Sequence, residues 1–323
     1  MKAVFLGVES LIDKVYPEYV KKELYALVGI EDKVYKKEDE ADFSDVEYIF
    51  STWGMPSFSV EEIRKRFPSL KAVFYAAGSV QGFAREFLEC GVKVYSAWAA
   101  NAVPVAEYTV AQIILANKGF FASSRFASVG QRDKALDVFS GYRGNFGARI
   151  GLIGVGMIGS LVARMLLNYK VKVYAFDPFL SDERAVSLGI EKTSLDTLFK
   201  TCTVVSCHLA NNPDTVGMLK GCHFELLPQN ATFINTGRGA QVVESELCSV
   251  LEKRPDITAI LDVTYPEPPE DYSPFYRLDN CILTPHIAGS SGDEVHRMAE
   301  YMLCEFKDPG KYEVTLEMLK TMA

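Results

Sequence analysis

A glycine-rich hexapeptide, Gly154-Val155-Gly156-Met157-Ile158-Gly159, has the residue types and the spacing that bind a dinucleotide. The first glycine permits a tight turn, the second lets the backbone approach a pyrophosphate, and the third lets a helix pack closely on the preceding strand. The phosphates would then meet the free N–H groups and the positive dipole end of that helix. Asp177 directly follows the next predicted strand, and its separation from Gly159 is close to the expected spacing of about 20 residues. A carboxylate at this position binds ribose hydroxyls and repels a 2′-phosphate. The pattern predicts NAD as the cofactor, and the alternative is a glycine-rich structural turn.

Three further reactive groups follow predicted strands, at the edge where open α/β sheets bind ligands. Arg238 stands between two glycines and is suited to gripping a carboxylate bidentately. His286 has the chemistry to move the hydroxyl proton that accompanies a hydride. Glu267 has the chemistry to orient that histidine and to stabilise its charged form. The alternatives are a charged surface turn for Arg238, a structural histidine for His286 and an exposed loop carboxylate for Glu267.

Short apolar strands alternate with helical patterns from Arg149 onward, which predicts a doubly wound parallel sheet. The runs are rich in β-branched residues, as expected for parallel strands covered on both faces. Ile158–Tyr169 and Glu244–Lys253 have helical spacing. The predicted strands are 150–153, 171–176, 204–208, 232–235, 257–263 and 281–284.

The first hundred residues repeat this rhythm without a glycine fingerprint, which indicates a separate α/β domain. Its predicted strands are 2–6, 48–51, 72–75 and 92–95, and its predicted helices are 60–67 and 83–89. Between the domains, the apolar segment Asn101–Phe121 predicts a helix buried under a domain or against a second subunit, hence a homodimer. The helical segment Asp293–Phe306 and the tail are expected to return to the first domain.

Composition limits the partners and the compartment. The chain has 323 residues, of which 48% are hydrophobic and 24% are charged, with a formal net charge of -8. This charge disfavours nucleic-acid binding, which needs clustered Lys and Arg. The most apolar long stretch, 151–167, contains Arg164 and several glycines, so no membrane span is expected. Seven cysteines without a C-x-x-C pair predict free thiols in a cytoplasmic protein, and no residue set has metal-ligand spacing.

Five motifs in order resemble one family. GLIGVGMIG, FDPF, INTGRGA, LDVTYPEPP and TPHIAG are similar to the D-isomer-specific 2-hydroxyacid dehydrogenases, and the resemblance spans about residues 70 to 292. GVKVYSAWAANAVPVAEYTVAQIIL resembles the segment that links that family's two domains. The resemblance implies a Rossmann NAD-binding domain, residues 101–287, inserted into a flavodoxin-like α/β substrate domain formed by residues 1–100 and 288–323.

The resemblance also implies the roles of individual residues. Arg238, Glu267 and His286 would be catalytic. The remaining assignments are Asp262 to the nicotinamide carboxamide, Thr236 and His208 to the cofactor site, and the Ala77 and Gly78 backbone N–H groups to the substrate carboxylate.

The implied activity is an oxidoreductase that transfers a hydride between NAD(H) and a D-2-hydroxy acid/2-keto acid pair of the glyoxylate, hydroxypyruvate or phosphoglycerate type. A non-enzymatic NADH-sensing binding protein and a formate dehydrogenase-like enzyme are the alternatives. The chain departs from the family at Val80, where Asp or Asn is usual, and at Ala210, where proline is common. Val80 bears on the choice of substrate.

Overall fold

The computed structural model describes residues 2–320, and they form two compact units. One unit contains the chain up to Asn101 together with the chain from Ser290 onward, and the other contains Ala102–Gly289. The sequence predicted breaks after residues 100 and 287. Residues 1 and 321–323 of the predicted first domain lie outside the described residues.

The first unit is a six-stranded sheet covered by helices. Five parallel strands run in the order β2-β1-β3-β4-β5, which is the flavodoxin-like order, and β13 adds antiparallel to β5. Its core contains Phe5, Phe50, Phe74 and Phe87, all nearly inaccessible to solvent. The elements are β1 (Lys2–Leu6), α1 (Glu9–Val15), α2 (Glu18–Leu27), β2 (Gly29–Tyr35), β3 (Tyr48–Ser51), α3 (Val60–Arg66), β4 (Ala72–Tyr75), α4 (Ala84–Glu89), β5 (Lys93–Ser96), α13 (His296–Lys307) and β13 (Glu313–Val314).

The second unit is a seven-stranded parallel sheet in the order β8-β7-β6-β9-β10-β11-β12. This is the doubly wound order 3-2-1-4-5-6 with one more strand. Two apolar clusters cover its faces. The elements are α6 (Phe120–Ala127), α7 (Arg132–Ser140), β6 (Arg149–Ile153), α8 (Met157–Leu166), β7 (Lys172–Phe176), α9 (Asp182–Ser187), β8 (Ile190–Lys192), α10 (Leu195–Thr201), β9 (Val204–Cys207), α11 (Gly221–Glu225), β10 (Thr232–Asn235), α12 (Glu244–Lys253), β11 (Thr258–Leu261) and β12 (Cys281–Leu283).

The strand order places a switch point between β6 and β9. These strands are neighbours, and Ile153 at the end of β6 pairs with Cys207 at the end of β9. The chain leaves the two strands toward opposite sides of the sheet, which opens a crevice beyond their carboxyl ends. The glycine loop follows β6 directly, so the fold puts it at the position where such sheets bind ligands.

The long apolar helix α5 spans Trp98–Asn117, not Asn101–Phe121 as predicted. The predicted end is wrong because Gly119 adopts a left-handed conformation (φ 66°) that stops the helix, and α6 starts at Phe120. Among the described helices, α5 alone is long and apolar enough to cross a membrane. Half of its most apolar stretch is buried within the protein, as in a core helix.

Candidate active site

The glycine loop after β6 is built around two close backbone approaches. Gly154 has φ 87°, and a Cβ there would lie 2.8 Å from the carbonyl oxygen of His208. A Cβ on Gly159 would lie 2.2 Å from the carbonyl oxygen of Gly154. A Cβ on Gly156 would meet no atom within 4 Å, so its backbone borders open space. Two glycines therefore close the loop, and the middle one leaves room for a ligand to approach.

The N-terminus of α8 faces this space without a side-chain cap. Gly156 is the N-cap, Met157 is the first helical residue and 41% exposed, and no side chain bonds the first free N–H groups. Asp177, just after β7, accepts hydrogen bonds from the backbone N–H of Val155 (2.7 Å) and of Phe179 (2.8 Å). The carboxylate thus holds the end of β7 against the glycine loop.

His208 lies on the other side of the switch point, just after β9. It is 9% exposed, and its Nε2 lies 3.0 Å from the Ser206 hydroxyl. Its buried Nδ1 has no partner among the described residues. Burial lowers the pKa of His208 to about 4, so the ring is neutral at physiological pH. The unpaired nitrogen, the open face of Gly156 and the uncapped helix all fit a dinucleotide lying across this edge.

Thr236 and Asp262 follow β10 and β11, and both are engaged with protein groups. The Thr236 hydroxyl lies 3.1 Å from that of Thr109 on α5. Asp262 is 1% exposed; its Oδ1 accepts from the Thr284 hydroxyl (2.6 Å) and the Ile287 N–H (2.8 Å), and its Oδ2 accepts from the Ala288 N–H (2.9 Å). Asp262 therefore fixes the segment after β12 that carries His286.

His286 and Glu267 form a hydrogen-bonded pair at the carboxyl edge of the sheet. Nδ1 of His286 lies 2.7 Å from Oε1 of Glu267, and the two side chains are 47% and 40% exposed. The His286 backbone has φ 56°, and its N–H donates to the Asp262 carbonyl. The geometry sets a carboxylate behind an accessible imidazole, an arrangement suited to general acid–base chemistry.

Arg238 belongs to the same unit and is electrostatically linked to this pair. Burial lowers the pKa of its guanidinium, and the Glu267 carboxylate acts in the opposite direction. Nη1 donates to the carbonyl of Gly237 (2.7 Å). A Cβ on Gly239 would lie 2.0 Å from the carbonyl carbon of Thr264, so the Arg238 turn packs directly against the loop that leads to Glu267.

Two buried amides at this turn, Asn235 and Gln241, were not predicted as site residues. The Asn235 side chain accepts from the Gly237 N–H (3.0 Å) and donates to the Arg238 carbonyl (3.0 Å), and the Gln241 side chain accepts from the Arg238 N–H (3.2 Å). Both side chains are essentially inaccessible to solvent. Asn and Gln are also common on protein surfaces, so the residue type alone does not reveal that these two side chains hold the turn.

Ala77 and Gly78 lie in the first unit, in the loop after β4. The Ala77 N–H donates to the Tyr75 carbonyl (2.9 Å), and the Ser96 hydroxyl donates to the carbonyls of Ala77 and Gly78. A Cβ on Gly78 would meet no atom within 4 Å, so this backbone is open. Val80 is fully buried in the core, so it acts on this loop through packing.

Among the described residues, the cysteines and the remaining histidines do not form a metal site. Within residues 2–320, no group of three His, Cys, Asp or Glu is placed to hold a metal ion. All seven cysteines are free thiols. His223 accepts a hydrogen bond from the Lys220 N–H, which is a structural role.

The doubly wound sheet and the glycine loop at its switch point define a dinucleotide-binding protein of the Rossmann class. A family model described as D-isomer specific 2-hydroxyacid dehydrogenase, NAD binding domain, matches residues 110–288, more than half of the chain. The chain belongs to the D-isomer specific 2-hydroxyacid dehydrogenase family, as the five motifs predicted.

Individual relatives agree with this assignment. The chain is 34% identical over 206 residues to YoaD of Bacillus subtilis (strain 168), a protein named as a 2-hydroxyacid dehydrogenase; the match covers 62% of the chain and 59% of YoaD. It is 30% identical over 201 residues to D-3-phosphoglycerate dehydrogenase of Archaeoglobus fulgidus, covering 62% of the chain and 38% of that protein. The matched regions thus span less than two thirds of either relative.

A solved structure shares the whole fold. The D-isomer specific 2-hydroxyacid dehydrogenase of Lactobacillus delbrueckii ssp. bulgaricus, in its NAD-complexed form, superposes with a TM-score of 0.76 at 19% identity, covering 97% of this chain and 100% of that chain.

Proposed function

We propose that the chain is an NAD-dependent dehydrogenase that transfers a hydride between NAD(H) and a D-2-hydroxy acid/2-keto acid pair. The observation that carries the proposal is the hydrogen bond of 2.7 Å between Glu267 and His286, in the unit that also holds the glycine loop and Arg238. A dinucleotide-binding protein that only senses NADH has no need for an accessible imidazole backed by a carboxylate.

The cofactor would be held at the switch point. Gly154, Gly156 and Gly159 shape the loop, and the N–H groups of Met157 and Ile158 at the start of α8 would receive the pyrophosphate. Asp177 would bind the ribose hydroxyls, which favours NAD over NADP because a 2′-phosphate would meet a carboxylate. When bound, NADH supplies the hydride.

His286 would move the proton. Because Nδ1 is bonded to Glu267, Nε2 is the ring nitrogen that remains for the substrate. In the reductive direction the imidazolium donates a proton from Nε2 to the developing alkoxide, and in the oxidative direction the neutral ring accepts it. Glu267 holds the ring in this orientation through the hydrogen bond to Nδ1.

Arg238 would bind the substrate carboxylate and polarise its keto group. One guanidinium nitrogen is already fixed on the Gly237 carbonyl, which orients the planar fork and leaves its other donors for the substrate. The positive charge stabilises the alkoxide that forms at the carbonyl oxygen. The further assignments rest on the family resemblance and remain predictions: Asp262, Thr236 and His208 at the cofactor, and Ala77 and Gly78 at the substrate carboxylate.

The substrate, the assembly and the compartment are part of the proposal. We propose a small 2-keto acid of the glyoxylate, hydroxypyruvate or phosphoglycerate type, and a cytoplasmic enzyme that binds neither nucleic acid nor a membrane. Exposed apolar side chains at Leu115, Phe120, Val129, Leu136 and Phe139 support a homodimer that buries this segment. A monomer in sedimentation experiments at micromolar concentration would contradict the dimer.

The test is an assay of NADH oxidation with a panel of 2-keto acids, on the parent and on Glu267→Gln. We expect at least one keto acid to be reduced, and we expect the variant to lose about tenfold or more in kcat, since it keeps the size of the side chain and loses its charge. Glu270→Gln, an exposed change in the same segment, is the matched control. NADH binding without turnover of any keto acid would favour a sensing protein instead.

A further inference from the structure

Gln241 connects two segments that follow neighbouring strands. The side chain is fully buried, its Oε1 accepts from the Arg238 backbone N–H (3.2 Å), and its Nε2 donates to the Leu209 carbonyl (2.6 Å). The chemistry of the partners fixes the orientation of the amide, since an N–H donor requires the oxygen and a carbonyl requires the nitrogen. The thiol of Cys207 donates to the same Oε1 (3.4 Å). Gln241 therefore links the segment after β9 to the turn after β10.

The Arg238 turn is held through its backbone on both sides. Asn235 accepts from the Gly237 N–H (3.0 Å) and donates to the Arg238 carbonyl (3.0 Å), and Gln241 accepts a hydrogen bond from the Arg238 N–H. The guanidinium rests on the Gly237 carbonyl (2.7 Å), which belongs to the same turn. The position of the guanidinium thus follows the position of the turn.

We propose that Gln241 is a positioning residue for Arg238, and that it keeps the Arg238 turn in register with the His208–Leu209 segment. The inference rests on the proposed function, in which Arg238 binds the keto acid. Gln241 is fully buried and methionine would fill its place, so removal of the amide leaves the Arg238 N–H and the Leu209 carbonyl without this partner. The turn then shifts to find other partners, and a displacement of about 1 Å at a binding group can reduce the rate about 100-fold.

The first experiment is a double-mutant cycle with Gln241→Met and Arg238→Lys. Methionine keeps the length of the side chain and loses both hydrogen-bonding ends. We expect Gln241→Met to raise the KM for the keto acid and to lower kcat/KM by about tenfold or more, with the Kd for NADH changed less than about threefold. In the Arg238→Lys background the same substitution should change kcat/KM less than about threefold, because residues that act as a unit are not additive.

Gln229→Met, the same change on the surface of the same unit, is the control and should match the parent. Equal losses from Gln241→Met in the two backgrounds would overturn the proposal, because a general effect on the fold is independent of Arg238. A parent protein that reduces no keto acid would contradict the proposed function, whereas an active parent with an unaffected variant would contradict only the role of Gln241.

A second variant, Gln241→Glu, covers the case in which the methionine variant does not fold. The protonated carboxyl group has the donor and the acceptor of the amide, and burial favours this neutral form. The ionised form sets a carboxylate oxygen against the Leu209 carbonyl. At each pH we compare the kcat/KM of Gln241→Glu with that of the parent, and we expect this ratio to rise at least fivefold as the pH falls from 8 to 6. An equal deficit at both pH values would overturn the proposal.

Discussion

Gly239→Ala tests whether the contact between the Arg238 turn and the Thr264 loop sets the catalytic geometry. An ideal Cβ at residue 239 would lie 2.0 Å from the carbonyl carbon of Thr264 and 2.3 Å from its oxygen. Both are backbone atoms, so no side-chain rotation relieves the clash. The two segments must separate by about 1 Å or more to restore an ordinary contact. The Thr264 loop leads to Glu267, so the separation moves Arg238 away from the Glu267–His286 pair.

This displacement fixes the expected magnitudes. Overpacking of this kind costs about 1–3 kcal/mol in the free energy of unfolding. A misplacement of about 1 Å reduces the rate about 100-fold, so we expect kcat/KM for the keto acid to fall by about that factor. The glycine loop is not touched, and the Kd for NADH should change less than about threefold.

The assay combines steady-state reduction, NADH titration by fluorescence and thermal unfolding. Gly82→Ala is the matched control, because a Cβ there would meet no atom within 4 Å. A Gly239→Ala protein that unfolds like the parent and keeps full kcat/KM would refute the argument that this contact positions Arg238. A loss of NADH binding as large as the loss of rate would refute the separation of the two sites.

Three other substitutions follow from the site. Asp177→Asn removes the charge at the ribose position and keeps one acceptor for the Val155 N–H, so the preference for NADH over NADPH in kcat/KM should narrow by about 100-fold; an unchanged ratio would exclude this role. Arg238→Lys keeps the charge and loses the planar fork, so the KM for the keto acid should rise by about tenfold or more while NADH affinity stays constant, and the reverse result would reassign Arg238 to the cofactor. Burial raises the pKa of Glu244 to about 7, above its value of 4.5 in the unfolded chain, so its ionisation lowers stability as the pH rises through this window. Glu244→Gln should therefore raise the free energy of unfolding by about 1 kcal/mol at pH 8 and leave it unchanged at pH 4.5, as measured by denaturant unfolding. The gain is modest because the carboxylate is only partly buried and solvent screens its charge.

The sequence predicted the second unit well because its strands are buried on both faces. All six predicted strands of that sheet are present, with ends that differ by a few residues at most. The glycine loop is recognisable because each glycine answers a steric demand, which the Cβ distances at Gly154 and Gly159 show. Patterns that arise from burial and from close approach are therefore readable in one chain.

Other elements could not be predicted because their determinants are not local. β2 has the sequence GIEDKVY, is exposed or half-buried throughout and has no apolar alternation, so only its pairing with β1 makes it a strand. β8 and β13 are short edge strands of three and two residues. At the site, the residue types predicted a Glu267–His286 interaction, whereas the buried bonds of Gln241 and Asp262 depend on which strand ends the fold brings together.

The last strand of the first unit has a consequence for synthesis of the chain on the ribosome. β13 closes the edge of β5, and α13 supplies the fully buried Met298, Ala299 and Met302 to the same core. Those residues emerge from the ribosome after the whole of the inserted unit has been made. Until then the N-terminal part of the first unit's core keeps apolar surface exposed, while the second unit can already fold. We therefore expect the nascent chain to acquire protease resistance first in the inserted unit, and to depend on chaperone binding near its N-terminus until the final helix has been made.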